Sequence, residues 1–138
     1  MRALIDTNII LDYVLERHPF HHEAEEIVLR LAKKDFVGYI SGITAINVYY
    51  TGRKLKGKDY TLKAVRRLLR LVEVCATDKK VLQDAFLLNF SDYEDAVQAA
   101  CASAENLDAI VTRNTKDYKN ALLPVYSPTD FLEVLKQS

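Results

Sequence analysis

The stretch Ala3-Leu4-Ile5-Asp6-Thr7-Asn8 opens the chain with three apolar residues that end at an acid and two polar residues. A short, continuous apolar run predicts a strand that is buried on both faces, as in a parallel sheet covered by helices. Similar runs occur at residues 36–40, 72–76, 109–111 and 123–126. We therefore expect a sheet of short strands, with the first strand ending at Asp6.

Segments with helical periodicity separate these runs. Residues 21–34, for example, place Ala24, Ile27, Val28 and Leu31 on one face. The other predicted helices span about residues 8–16, 42–51, 60–71, 78–88, 92–105 and 128–136. This alternation predicts a three-layer α/β/α sandwich with a central parallel sheet. No repeat or linker divides the sequence, so residues 1–138 are expected to form a single domain.

The composition excludes some classes of protein. Lys plus Arg and Asp plus Glu both number 19, so the net charge is zero and any nucleic-acid surface must be local. No apolar run approaches the roughly 20 residues that span a bilayer, and the apolar start is too short for a signal peptide. Cys75 and Cys101 have no paired spacing and are expected to be reduced core residues. These features predict a soluble, cytoplasmic protein.

Polar side chains collect where the predicted strands end. They are Asp6, then Ser41, Thr44 and Asn47, then Thr112, Arg113, Asn114 and Asp117, together with Asp92 and Asp95 on a late helix. In open parallel sheets, ligand sites lie beyond the carboxyl ends of the strands. Carboxylates that meet there repel one another unless a cation neutralises them, and oxygen ligands favour Mg²⁺ or Mn²⁺. Such an ion can activate water for phosphodiester cleavage.

Motifs formed by these residues resemble the PIN-domain family. They are Leu4-Ile5-Asp6-Thr7-Asn8, Ser41-x-x-Thr44, Asp95-Ala96 and Val111-Thr112-Arg113-Asn114-x-x-Asp117-Tyr118. They occur in the family's order and at about its spacing over essentially the whole chain, and they look most like the small prokaryotic PIN proteins that include VapC-type toxins. The resemblance implies a parallel-sheet α/β fold, an acidic pocket for Mg²⁺ or Mn²⁺, RNA cleavage and a homodimer. For a toxin it also implies an antitoxin that obstructs the pocket.

The resemblance assigns roles to individual residues. The acids that it assigns to catalysis or metal binding are Asp6, Asp95 and Asp117, and Asp92 is a further candidate metal ligand. The family's second acid, usually a Glu, corresponds to Asn47, and its fourth corresponds to Asn114. Each exchange removes a negative charge, so these two residues are expected to be neutral helpers in a pocket that binds Mg²⁺ more weakly. Thr7 and Thr112 are expected to hydrogen-bond to the carboxylates.

Helix capping offers a second interpretation of several acids. Asp6 precedes a predicted helix, where an N-cap is common, although the motif favours the site. Ser91 and Glu94 fit a capping box, which makes Glu94 structural. Asp92 then falls in the first helical turn, where an acid suits the helix dipole. Asp117 could instead begin a short turn.

One stretch of the chain is locally basic. Its basic members are Arg53, Lys54, Lys56, Lys58, Lys63, Arg66, Arg67 and Arg70, with Tyr49, Tyr50 and Tyr60 nearby. Basic side chains bind phosphates and aromatic rings stack on bases, so the stretch is a candidate RNA surface, with Arg113 as a second candidate. The alternative is a solvated helix face and a mobile loop around Gly52 and Gly57.

Three functional hypotheses follow. The first is an Mg²⁺- or Mn²⁺-dependent endoribonuclease, in its most specific form the toxin of a toxin–antitoxin pair. The second is a catalytically weak PIN domain that binds RNA or a protein, which the amides Asn47 and Asn114 favour. The third is a flavodoxin-like receiver or phosphatase domain, which is disfavoured because the chain lacks the adjacent acidic pair and a nucleophilic Asp on a middle strand.

Overall fold

A five-stranded parallel sheet forms the centre of the protein in the computed structural model, which describes residues 1–137. Its strands are β1 (Arg2–Ile5), β2 (Val37–Ser41), β3 (Glu73–Cys75), β4 (Ala109–Val111) and β5 (Val125–Tyr126). They lie in the order β3-β2-β1-β4-β5, and every neighbouring pair is parallel. The predicted α/β class with a central parallel sheet is therefore confirmed.

Helices cover both faces of the sheet. They are α1 (Thr7–Val14), α2 (His21–Ala32), α3 (Gly42–Lys56), α4 (Lys58–Leu71), α5 (Lys79–Asp84), α6 (Tyr93–Ala104) and α7 (Pro128–Lys136), with 3₁₀ turns at Ala85–Leu88 and Thr115–Tyr118. Side chains of β1 alternate between two apolar cores. Ala3 and Ile5 belong to the core that includes residues of α1, α2 and α7, whereas Leu4 belongs to the core formed with α5 and α6. This alternation produces the predicted three layers.

The first strand determines where polar residues meet. It is the middle strand of the sheet, and its apolar residues 3–5 are fully buried. Ile5 is in register with Val111 of β4. Asp6 and Thr112, which directly follow these two residues, therefore leave the sheet side by side at its carboxyl edge.

The α3–α4 region differs from the sequence prediction. Helix α3 continues beyond its predicted end to Lys56, and α4 begins at Lys58, so only Gly57 separates the two helices. Gly57 has a φ of +84°, a conformation that glycine adopts without steric cost. Gly52 is buried within α3 and packs closely against α4, so that a Cβ there would lie 2.8 Å from Cγ2 of Thr61. The expected loop around the two glycines is wrong, since the basic residues lie on two packed helices.

The remaining predictions concern the cysteines and membrane insertion. Cys75 and Cys101 are both buried and free, as the sequence predicts. Within residues 1–137, no helix has the combination of length and apolar character that crossing a bilayer requires.

Candidate active site

An acidic pocket with a volume of about 330 Å³ lies at the carboxyl edge of the sheet. Its lining residues come from the end of β1 and from α1, α3 and the start of α6: Asp6, Thr7, Asn8, Leu11, Asn47, Thr51, Asp92, Glu94 and Asp95. Four of these side chains are acidic, and within residues 1–137 the lining includes no Lys, Arg or His. The pocket therefore concentrates negative charge in a chain whose net charge is zero.

Asp6 lies at the base of this pocket and is 2% exposed. It occupies the N-cap position of α1, but its side chain makes no capping hydrogen bond. Oδ2 accepts a hydrogen bond of 2.9 Å from Oγ1 of Thr112, and Oδ1 accepts one of 2.9 Å from Nε2 of Gln98. The capping interpretation is thus wrong for Asp6, and Thr112 contacts it as the sequence predicts.

Gln98 is a residue that the sequence analysis missed. It is fully buried on α6, and besides Asp6 its Nε2 donates to the hydroxyl of Tyr118 at 2.8 Å. Its Oε1 accepts from the backbone N–H of Thr7 at 3.1 Å and from the Thr7 hydroxyl at 3.2 Å. The detectable signal is an amide within an otherwise apolar stretch of helix, because a buried amide requires partners. Gln98 therefore ties β1, α1 and the segment after β4 together.

Tyr118 links the two central carboxylates and was quoted in the sequence analysis only as part of a motif. Its ring is 1% exposed, and its hydroxyl lies 3.1 Å from Oδ1 of Asp95 and 3.3 Å from Oδ1 of Asp6. Burial, together with the charges of the two carboxylates, raises the pKa of this phenol far above its usual value. Tyr118 is therefore neutral and can donate its single proton to only one carboxylate at a time.

Asp95 has a pKa that is raised from 3.8 to about 7. Burial is the largest cause, followed by the negative charges of Asp6 and Asp92, and a smaller contribution comes from Asp117. The hydrogen bond from Tyr118 acts in the opposite direction and lowers this pKa. Negative charge around Asp95 is therefore not neutralised by the protein itself.

The structure gathers some of the predicted site residues and leaves others at the periphery. Asp92 is the exposed N-cap of α6 and lines the pocket without making a capping hydrogen bond. Asp117 is exposed in the 3₁₀ turn after β4 and lies outside the lining, although its charge acts on Asp95. Asn114 is also exposed and outside the lining, and its backbone N–H donates to Thr112 Oγ1 at 3.1 Å.

Glu94 does not have the predicted capping role. The helix begins at Tyr93 with Asp92 as N-cap, one residue later than a capping box with Ser91 requires. Glu94 instead lines the pocket, and its Oε1 accepts a hydrogen bond of 2.8 Å from Nδ2 of Asn47. The prediction was wrong because the position of the helix start, which sequence periodicity defines poorly, decides which way this side chain points.

A hydroxyl cluster orients α3 toward the pocket. The side chain of Ser41 caps α3 by accepting from the backbone N–H of Thr44. The Thr44 hydroxyl lies 2.8 Å from that of Thr7, and both residues are buried. Thr7 therefore supports the site through Gln98 and Thr44, whereas the sequence analysis expected it to contact a carboxylate.

Arg113 is held beside the pocket by an ion pair that the sequence analysis did not identify. Its Nε donates to Asp12 Oδ2 at 2.6 Å and its Nη2 donates to Asp12 Oδ1 at 3.2 Å. Asp12 is 1% exposed and also accepts from Nε of Arg17 at 2.9 Å, while Phe20 packs its ring 3.8 Å from the Arg113 guanidinium. Two of the three guanidinium nitrogens of Arg113 are thus engaged within the protein.

The basic stretch begins close to the pocket. Arg53 and Lys54 follow the pocket-lining residue Thr51 on α3 and are exposed, as are Lys56 and Lys58. The guanidinium of Arg53 lies 5.7 and 5.5 Å from the ring centres of the two preceding tyrosines, residues 49 and 50. Cationic and aromatic groups therefore lie together on the same helix that contributes Asn47 and Thr51 to the pocket.

The pocket suits a hard divalent cation in donor type and charge. Its acidic and amide side chains offer oxygen ligands, which Mg²⁺ and Mn²⁺ favour. Burial and, after it, the neighbouring negative charges raise the pKa of Asp95, and such an ion would neutralise those charges. Among residues 1–137, no three His, Cys, Asp or Glu side chains are already arranged as a metal site. The fit therefore lies in donor type and charge and not in a preformed cage.

Solved structures with this fold include toxin–antitoxin proteins. The chain is similar to VapBC2 from Rickettsia felis bound to a promoter DNA fragment, with a TM-score of 0.72 and 24% identity over 92% of this chain and 98% of that chain. It is also similar to a toxin–antitoxin complex from Klebsiella pneumoniae, with a TM-score of 0.69 and 26% identity over 91% of this chain and 97% of that chain. VapC20 from Mycobacterium tuberculosis, described as a toxin that cleaves the sarcin–ricin loop, has a TM-score of 0.64 and 16% identity over 78% of this chain and 86% of that chain.

Sequence comparison identifies the family. No curated protein sequence matches the chain significantly. A model of the PIN domain, however, matches residues 2–116, which include β1 to β4 and every residue that lines the acidic pocket. The chain therefore belongs to the PIN-domain family.

Proposed function

We propose that the protein is an endoribonuclease that depends on Mg²⁺ or Mn²⁺ and acts as the toxin of a toxin–antitoxin pair. The observation that carries the proposal is the acidic pocket at the carboxyl edge of the sheet, where burial and neighbouring like charges raise the pKa of Asp95 to about 7. Membership of the PIN-domain family and similarity to toxin–antitoxin structures support it.

The carboxylates of the pocket have the central role in this proposal. Asp6, Asp92 and Asp95 would hold the ion, Asp117 would add negative charge from outside the lining, and Asn47 lines the same pocket as a neutral side chain. When bound, the ion supplies Lewis-acid stabilisation of the charge that develops on a phosphodiester attacked by water. Asp95 takes part in its ionised form, which is why its raised pKa matters for the pH at which the protein works.

Three neutral side chains keep the carboxylates in place. Gln98 and Thr112 each donate a hydrogen bond of 2.9 Å to Asp6, and Tyr118 reaches both Asp6 and Asp95. Hydrogen bonds of this kind orient metal-binding carboxylates, and their loss typically lowers metal affinity or activity. The two carboxylates are therefore positioned before any ligand arrives.

RNA is the proposed substrate because cationic and aromatic side chains lie on or directly after α3, the helix that also contributes Asn47 and Thr51 to the pocket. Arg53, Lys54, Lys56 and Lys58 can contact phosphates, and the tyrosines of α3 can stack on unpaired bases. Arg113 is a weaker candidate for phosphate contact than the sequence analysis proposed, because Asp12 engages two of its nitrogens. Cleavage of an RNA loop by VapC20 supports the same class of substrate.

Cleavage of a mixed RNA pool in Mn²⁺ tests the proposal. We expect wild type to cut, a chelator to stop the reaction, and Asp95→Asn to reduce the rate about 100-fold or more. Asp130→Asn is the matched control, because Asp130 is an exposed carboxylate in the first turn of α7 and lies outside the pocket. A wild-type protein that neither binds Mn²⁺ at millimolar concentration nor cuts RNA would exclude metal-dependent cleavage.

We also propose an antitoxin partner and a homodimer. The Klebsiella pneumoniae relative is a toxin–antitoxin complex, which supports the first, and the second is an expectation from the family resemblance. Light scattering of the purified chain measures its oligomeric state. Co-expression with the small gene adjacent to its own measures complex formation, and inhibition of cleavage by that gene product is the expected result.

A catalytically weak binding module is the second candidate function. The amides Asn47 and Asn114 and the absence of a preformed metal cage among residues 1–137 favour it. This alternative predicts that RNA binds to wild type and to Asp95→Asn equally well, with and without Mn²⁺, and that neither protein cuts it.

A further inference from the structure

We propose that Glu94 supplies, from α6, the metal-binding carboxylate that Asn47 does not supply from α3, and that Asn47 positions it. The inference rests on the proposed metal-dependent function of the same pocket. The capping-box pattern predicted a structural role for Glu94. The inference instead makes Glu94 compensate for Asn47, which stands where the family usually has an acid.

The geometry of the pair carries the inference. Nδ2 of Asn47 lies 2.8 Å from Oε1 of Glu94, so the amide presents its donor to the carboxylate. Both side chains line the acidic pocket, although the two residues are 47 positions apart in the sequence and lie on different helices. A carboxylate at position 47 would repel Glu94 at this distance, whereas an amide binds it. The residue type at position 47 is therefore the one that lets an acid at position 94 face the pocket.

Glu94 has no other partner that explains its orientation. Within residues 1–137, Asn47 is the only hydrogen-bond partner of the Glu94 side chain, which forms no ion pair with Lys, Arg or His. The dipole of α6 favours an acid in the first turn, but it does so equally for a side chain that points into solvent. Glu94 is instead partly buried and lines the pocket together with Asp92 and Asp95. Its carboxylate is therefore available to a divalent cation that enters the pocket.

The charge of the pocket agrees with this assignment. With Asp6, Asp92 and Asp95, Glu94 gives the lining four carboxylates despite the amide at position 47. The acid on α6 thus takes the place of the acid that the family usually has on α3. The pocket therefore does not need a charged ligand at position 47. Asn47 acts through Glu94 and is a positioning residue.

Calorimetric titration of the full chain with Mn²⁺ tests the inference without relying on cleavage. We expect Glu94→Gln to weaken Mn²⁺ affinity about 10-fold or more, and Asn47→Ala to weaken it less. The double variant N47E/E94Q returns the carboxylate to α3 and places an amide donor on α6. We expect it to recover most of the wild-type affinity, which a purely structural role of the pair would not produce. Asp130→Asn is the control for loss of one carboxylate elsewhere.

The possible results separate the inference from the proposed function. Thermal unfolding of the metal-free proteins first establishes that each variant is folded. If Asp95→Asn loses Mn²⁺ binding while Glu94→Gln retains wild-type affinity, the inference is wrong and the proposed function stands. A folded N47E/E94Q protein with affinity no better than Glu94→Gln would also overturn it. If wild type itself binds no Mn²⁺, the proposed function and the inference fail together.

Discussion

Asp95 lies where burial and three neighbouring acids raise its pKa from 3.8 to about 7. The folded state therefore binds this proton more tightly than the unfolded chain does, and the free energy of unfolding falls as the pH rises from about 4 to about 7. Asp95→Asn removes that cost. We expect the variant to exceed wild type in stability by about 1–2 kcal/mol above pH 7, after allowance for solvent screening, and to match it below about pH 4. Urea unfolding of the metal-free proteins measures the difference.

Two further measurements check the cause of this effect. Mn²⁺ at saturating concentration should stabilise wild type but not Asp95→Asn, because ligand that binds only the folded state raises its stability. Tyr118→Phe removes a hydrogen bond that lowers the pKa of Asp95, so the pH midpoint of the stability change should move upward. A gap between wild type and Asp95→Asn that does not depend on pH would contradict the assignment.

Individual site residues differ in how far the sequence predicts them. Asp6 is predictable because it ends a buried strand, and the strand register then brings it beside Thr112. The orientation of Glu94 is not predictable from the sequence. It depends on α6 starting one residue later than the capping-box pattern predicts, and on a hydrogen bond from an amide on another helix. Gln98 also requires the fold, since its partner Asp6 lies 92 residues away. Long-range hydrogen bonds leave no periodic trace in the sequence.

At the scale of the elements, an ion-pair cluster joins α1 to the segment after β4. Asp12 on α1 is 1% exposed and accepts from Arg17 and Arg113, whose side chains are 34% and 21% exposed. Asp12→Asn keeps the size of the side chain but leaves two guanidinium groups without their counter-ion. We expect a loss of about 2–3 kcal/mol in the free energy of unfolding, measured by urea titration, because removal of one buried partner costs more than the ion pair contributes.

A matched exposed ion pair provides the control for this prediction. Arg30 and Asp35 lie 3.1 Å apart and are 29% and 36% exposed, so Asp35→Asn should cost less than about 1 kcal/mol. Equal losses for Asp12→Asn and Asp35→Asn would mean that the Asp12 cluster contributes no more to stability than an ordinary surface pair.

The packing of α3 against α4 gives Gly52 a role opposite to the one that its sequence suggests. A glycine in a helical segment suggests a helix end, yet Gly52 lies inside α3 and allows Thr61 of α4 to pack closely against the α3 backbone. Replacing a mid-helix glycine by alanine usually stabilises by about 1 kcal/mol. The new Cβ would lie 2.8 Å from Cγ2 of Thr61, whose hydroxyl is held by a 2.7 Å hydrogen bond to the Gly57 carbonyl. We therefore expect Gly52→Ala to destabilise by about 1–2 kcal/mol in thermal or urea unfolding.

Thr61→Ser tests whether steric contact is the reason. Serine lacks the methyl group that the new Cβ meets, and it keeps the hydroxyl that bonds to Gly57. Gly52→Ala should therefore destabilise less in a protein that already carries Thr61→Ser than it does in wild type. If the two substitutions are additive, helix–helix contact at Gly52 does not determine the effect.

The architecture of the whole molecule was predictable because parallel strands require crossover segments, and those segments here are amphipathic helices between buried apolar runs. The strand order was not, because no local pattern says that β1 lies between β2 and β4. The net charge of zero likewise conceals the basic residues, which the structure places on α3, extending to Lys56, and on α4. Local pattern therefore predicts the layers, while tertiary contacts determine the surfaces.

Salt dependence of RNA binding tests whether this basic surface, and not diffuse charge, contacts RNA. Each phosphate contact to single-stranded nucleic acid adds about 0.7 to the slope of log affinity against log salt concentration. Replacing Arg53 and Lys54 by Gln should therefore lower the slope by about 1.4, measured by fluorescence anisotropy in an Asp95→Asn background that does not cut RNA. Lys33 and Lys34 provide a control with equal charge, because they are exposed between α2 and β2, at the opposite edge of the sheet from the pocket. Their replacement by Gln should leave the slope unchanged. Equal reductions for the two pairs would mean that total charge governs binding, and the surface of α3 around Arg53 and Lys54 would then have no specific role in it.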